Sequence, residues 1–235
     1  MIADKESSLD IQEMATAGLH FGHSISKIHP KMKPYLAGMK NNIHIIDLEK
    51  SREKIEEVLR IIHQFVSENK LVLFVGTKIQ IRELIKETAD AGDFPYVINR
   101  WLGGTITNFE IIRKRVEYME ELEKKMSDSR LKEKYTKKEI TEMEEKLEKL
   151  KEKFEGLRKL KRLPEVVFVV DIKKEYLAVK EAKAKGIKVI AICDTDSNPE
   201  LADYFIPAND DAISSVGYIL NKVKEVILKA KSKEK

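Results

Sequence analysis

The chain has 235 residues, enough for one large domain or a medium domain carrying an excursion, and with 42% hydrophobic residues it can bury a real core. Its 36% of charged residues is well above the roughly 25% of ordinary domains, and the formal net charge is +4. No apolar run reaches the roughly 18 residues of a membrane span, residues 1–10 hold no signal-like stretch, and a single cysteine, Cys193, excludes an intramolecular disulfide, so a cytoplasmic location is expected.

From His20 to Ile46 there are four lysines, Lys27, Lys31, Lys33 and Lys40, and no acidic residue. Within this basic segment Tyr35-Leu36 and His44–Ile46 suggest a small antiparallel pair around an Asn41-Asn42 turn. Ser51 is then expected to cap a helix over Ile55–Phe65. Leu71–Val75, ended by Gly76, reads as a strand, followed by a helix over Ile79–Ala91 and a weaker strand at Tyr96–Ile98.

The next segment changes character. Glu110 to Leu163 holds 18 Lys or Arg and 14 Asp or Glu, the whole formal excess of the chain, and neither Gly nor Pro occurs between Gly104 and Gly156. Ile140, Met143, Leu147, Leu150, Phe154 and Leu157 alternate spacings of three and four, and Thr136 with Glu139 makes a capping box before them. Ile112, Val116, Met119, Leu122 and Met126 form an earlier stripe, and Ser127, Asp128 and Ser129 separate the two. Together they predict an antiparallel helical hairpin projecting from the body.

Branched apolar strands resume at Val166–Val170, Val189–Ile192 and Tyr204–Ile206, with a helix over Lys173–Lys185 between the first two. Asp210 or Asp211 is expected to cap a last helix that turns Ile213, Val216, Leu220, Val223 and Ile227 inward. Short buried strands alternating with helices predict a three-layer α/β/α domain on a parallel sheet, interrupted by the hairpin.

Ligands of open parallel sheets gather beyond the carboxyl ends of the strands. Gly76-Thr77-Lys78 is only a fragment of a phosphate loop, and no G-x-G-x-x-G occurs. Asp194 and Asp196 could hold a divalent cation and a phosphoryl acceptor, or could simply cap turns before Pro199. His20 and His23 have metal-like spacing without a completing set. Cys193 reads as a small buried hydrophobe. Arg100-Trp101-Leu102-Gly103-Gly104 admits two readings, a stacking surface for a base or a buried corner at the root of the hairpin.

Several segments, in order, resemble one family. Gly18-Leu-His-Phe-Gly-His23, Pro30-Lys-Met-Lys-Pro34, Ile43 to Ser51, Phe74-Val-Gly-Thr-Lys78, Arg100-Trp-Leu-Gly-Gly104 with Thr107 and Asn108, Leu163-Pro164 and Ile206 to Ala212 are similar to the bacterial type of ribosomal protein S-two, of the small ribosomal subunit. The likeness runs from about Ile11 to Leu228. It departs at His29 and Asp196, where members commonly carry Asn, and in having less arginine over Ser24 to Ile28.

The resemblance implies a flavodoxin-like sheet of order 2-1-3-4-5 with an inserted antiparallel coiled-coil hairpin. The division expected is an α/β domain over 1–104 and 163–235 and a hairpin over 105–162. It further implies a structural constituent of the small subunit, with small-subunit ribosomal RNA and neighbouring ribosomal proteins, including the large S-one protein, as partners. Neither catalysis, nor a cofactor, nor a metal, nor a small-molecule substrate, nor a membrane is expected. RNA contacts are expected from Lys27, Lys31, Lys33, Lys40, Arg100, Trp101, Arg113 and Lys114, and protein contacts from Phe154 and Leu157. A phosphoryl-transfer enzyme built on Lys78, Asp194 and Asp196 is the alternative.

Overall fold

The computed structural model of the protein describes residues 9–128 and 135–232. Its centre is a five-stranded parallel sheet of β4 (Val72–Val75), β5 (Tyr96–Val97), β6 (Val166–Val170), β7 (Lys188–Cys193) and β8 (Tyr204–Pro207), in the order β5-β4-β6-β7-β8. Every residue of β4 and β6 is buried, which is why these segments are continuous apolar runs with no polar alternation.

Successive side chains point to opposite faces and so feed two cores. Phe74, Phe168, Ile190 and Ile206 pack under α2 (Leu48–Ser67), α3 (Arg82–Ala91) and α7 (Ile213–Ser232). Leu73, Val75, Val167, Val169 and Ala191 pack on the other face with Trp101, Ile112, Phe154, Leu157, Ala178 and Val179. That second core joins α6 (Tyr176–Ala184) to the root of two long helices, α4 (Phe109–Met126) and α5 (Lys137–Phe154).

α4 and α5 pack against each other, and the capping box at Thr136 and Glu139 starts α5. Along α4 Ile112, Val116, Met119 and Leu122 are buried, whereas on α5 only Phe154 is, with Leu147 and Leu150 half-buried against the core. On α5, burial is therefore confined to its C-terminal end. Ser129, expected in the break between the helices, lies outside the described residues.

A second sheet holds the basic segment. β1 (Phe21–Ser24), β2 (Leu36–Lys40) and β3 (Ile43–Ile46) form an antiparallel sheet in the order β1-β3-β2. Asn41 and Asn42 both have positive φ, 51° and 60°, the conformation a two-residue hairpin turn requires. β1 and the short α1 (Ile11–Thr16) were not expected from the sequence.

Two helix starts differ from expectation. Asp47, not Ser51, caps α2 by accepting from Glu49 N at 3.0 Å; Ser51 lies one turn inside, where its hydroxyl donates to the Asp47 and Pro207 carbonyls. Before α7, Asn209 accepts from Asp211 N at 2.9 Å and Ala212 N at 3.0 Å, which leaves the Asp210 and Asp211 side chains free for another task.

Candidate nucleic-acid interface

That task is to hold Lys78. Its ammonium lies beyond the end of β4, 8% exposed, and meets Asp171 after β6 at 2.8 Å, Asp210 at 2.6 Å and Asp211 at 2.7 Å, and it donates to the Asp210 carbonyl at 3.0 Å. Burial opposes its charge, but the three carboxylates prevail and raise its pKa. Burial, and then the Asp171 charge, push the Asp210 carboxyl above the ordinary range. Beside this cluster Glu175, raised by burial, accepts from the Thr77 N–H and hydroxyl.

The same sheet edge pins the basic segment. Gly22 crosses so close to Thr195 that a Cβ there would lie 2.4 Å from its methyl carbon, so a glycine is required. His23 N donates to Thr195 Oγ1 at 3.0 Å, and the His23 ring meets Asp194 at 3.1 Å and Asp211 at 3.6 Å. The hydrogen bond to Asp194 raises the imidazole pKa to about 9 against partial burial, so the ring carries a charge at neutral pH. Further on, His29 N donates to the Thr195 carbonyl at 2.8 Å. The His29 ring accepts from Lys31 N at 3.3 Å, a capping acceptor of the kind an Asn would also supply. Met32 is fully buried and Tyr35 sets its ring edge-on to Phe205 at 5.0 Å.

Within this frame the lysines diverge. Lys27, Lys33 and Lys40 are exposed and make no ion pair among the described residues. Lys31 instead reaches Glu200 at 2.7 Å, so its charge is already answered within the chain. Arg100 is exposed and lines a cleft of about 200 Å³ with Lys86, Tyr96, Lys151 and Lys153, between α3, β5 and the end of α5. On α4, Arg113 pairs with Glu117 one turn on at 3.0 Å, while Lys114 is exposed without an ion pair among the described residues.

Trp101 is a correction. It is 6% exposed in the second core, and its indole N–H donates to Glu181 at 3.1 Å, so no face is open to a base. Glu181, on α6, also accepts from the N–H groups of Gly104, Ile106 and Thr107 and from the Thr107 hydroxyl at 2.8–3.0 Å. Although burial favours its neutral form, these donors lower its pKa, so a carboxylate fixes the corner through which the chain enters α4. Gly104 turns there with a φ of +91°. Phe154 and Leu157 are corrected too. Both are buried in the second core, at 6% and 2% exposure, and cannot offer an apolar face to a neighbouring protein.

The residues of the alternative enzyme are all engaged. Lys78 is surrounded as described, Asp194 accepts from Thr195 N and His23, and Asp196 pairs with Lys173 at 2.6 Å. Cys193 is fully buried and its thiol is pushed up by that burial. Among the described residues no group of three or more His, Cys, Asp or Glu side chains is placed to hold a metal ion, and no helix is long and apolar enough to cross a membrane. Sequence reasoning missed Glu181 and Asp171, because their partners are distant in the chain and neither belongs to a motif.

The family described as ribosomal protein S2 matches residues 14–230. The chain is 43% identical to the small ribosomal subunit protein uS2 of Thermus thermophilus, over 95% of this chain and 87% of that one. It is 45% identical to that of Fusobacterium nucleatum over 94% and 90% of the two chains, and 44% identical to that of Dictyoglomus thermophilum over 94% and 89%. With matches of this extent, the chain belongs to the ribosomal protein S2 family, structural proteins of cytoplasmic ribosomes rather than enzymes.

Proposed function

We propose that this chain is a structural constituent of the small ribosomal subunit that binds the subunit's RNA through phosphate contacts from Lys27, Lys33, Lys40, Arg100 and Lys114, with Arg113 contributing once freed from Glu117. The observation that carries this reading is the acid-free segment from His20 to Ile46, pinned to the sheet edge with three exposed lysines that make no ion pair among the described residues. Phosphate contacts position a protein without reading sequence, and a duplex of A-form RNA hides its major-groove edges, so backbone shape is what these residues recognise. Neighbouring small-subunit proteins, including the large S-one protein, complete the partners in this reading.

The same reading treats the body as a flavodoxin-like domain over 1–104 and 163–235, its strands ordered 2-1-3-4-5 within the parallel sheet. Residues 105–162 form a coiled-coil insertion. The packing of α4 on α5 and the sheet order support this division.

Co-sedimentation with small subunits depleted of their own copy, with bulk RNA as competitor, tests the function. Saturable one-to-one binding that outlasts the competitor is the expected result. Binding erased by the competitor would reduce the chain to a generic basic protein and overturn the proposal.

A further inference from the structure

With Trp101 buried, the basic segment has a different exposed aromatic. Phe21 on β1 is 43% exposed, belongs to neither core, and lies against the His20 ring, with ring centres 3.9 Å apart. The antiparallel register puts it in one row with Ile45 and Gly38, and a second row on the same face holds Ser24, Ile43 and Lys40. His44 and Ile46, the intervening residues of β3, are buried on the inner face, so Phe21, Ile43, Ile45 and Lys40 share the outer one. Ile25, 41% exposed, extends the apolar surface where its N–H donates to the Asn42 carbonyl at 3.1 Å. Lys27 follows in the next turn, where its N–H donates to the Ser24 carbonyl at 2.8 Å.

An outward sheet face with an exposed aromatic ring, branched apolar neighbours and a rim of unpaired lysines suits unstacked bases joined by phosphates. Bases stack on aromatic rings whatever their identity, and lysines at the rim follow the backbone. A protein partner complementary to this face would need acidic groups opposite Lys27 and Lys40, and a duplex would present no open base to Phe21. We propose that the outer face of the β1-β3-β2 sheet is a platform for unpaired nucleotides of the small-subunit RNA, with Phe21 as its stacking residue. The platform rests on the RNA-binding reading above and adds to it a class of RNA target, a single-stranded bulge, loop or end.

The test uses the full chain and depleted small subunits. Phe21→benzoylphenylalanine, irradiated in the reassembled subunit, is expected to join to an unpaired nucleotide; an adduct within a duplex or to a ribosomal protein would overturn the proposal. Phe21→Ala and Phe21→Leu are both expected to weaken subunit binding about tenfold with no change in its salt dependence, and Phe21→Tyr to restore it. Equal binding by Phe21→Leu and the parent chain would remove the stacking role. If the unsubstituted chain itself failed to bind past the competitor, the RNA-binding reading would fall instead, so the two failures are distinguishable.

Discussion

Glu181 shows how much can depend on one carboxylate. Five donors converge on it, from Trp101, Gly104, Ile106 and twice from Thr107, and replacing one of its oxygens by an amide would turn a donor toward donors. Glu181→Gln is expected to lower unfolding stability by roughly 3 kcal/mol, since hydrogen bonds to a buried charged group are strong and their donors would be left unsatisfied. Urea denaturation measures it, and a loss under about 0.5 kcal/mol would show that the corner holds without the charge. His23 gives a second test, of sign. Its folded pKa of about 9 lies above the ordinary imidazole value of 6.5, so the stabilisation from its bond to Asp194 is complete below about pH 6.5 and is lost as pH rises through about 9. His23→Gln should therefore cost most at pH 6 and least at pH 10. A ring that titrates near 6.5 by nuclear magnetic resonance would contradict this.

At the level of elements, the end of α5 is set by close approach as much as by apolar packing. Gly156, just past α5, is so near β5 that a Cβ there would lie 2.2 Å from the Tyr96 backbone oxygen. Gly156→Ala is expected to push the end of α5 off the sheet edge at a cost of about 2 kcal/mol, with faster amide exchange at Tyr96 and Val97 and little change in α7. Unaltered exchange there would mean that this end yields freely. The contrast between elements also explains what could be read from the sequence. Val166–Val170 announces itself because a strand buried on both faces must be apolar throughout, and α5 because Thr136 and Glu139 mark its start. β1 escapes notice because Phe21-Gly-His-Ser has no strand pattern; the close approach to Thr195 and the bond to Asp194 hold it in place, and both partners lie more than 170 residues away. Asp47 hides behind Ser51 for a similar reason, since of the two carbonyls that hold the Ser51 hydroxyl one turn inside α2, that of Pro207 arrives only with β8.

Over the whole molecule, some cations are answered within the chain and others, those of the candidate interface among them, are not. Lys78 has three carboxylates, Lys31 has Glu200, and Glu123 on α4 is held at about 2 by Arg158 and then Lys151. A net charge of +4 therefore understates the local field at Lys27, Lys33 and Lys40 and overstates it at Lys31. This difference gives a quantitative expectation for RNA binding. Each phosphate contact releases counterions and contributes about 0.7 to 0.9 to the slope of log affinity against log salt, so five unpaired cations predict a slope of about −4. Lys27→Gln, Lys33→Gln and Lys40→Gln together should reduce that slope by about 2 to 3, because each removes a charge with no ion-pair partner among the described residues. Lys31→Gln should leave the slope nearly unchanged, because its charge is engaged by Glu200 at 2.7 Å before RNA arrives. Sequence composition treats the four lysines alike, so the salt series separates composition from geometry. Equal effects from Lys31 and Lys33 would mean that Glu200 releases its partner on binding, and the interface would then have to be drawn from charge alone.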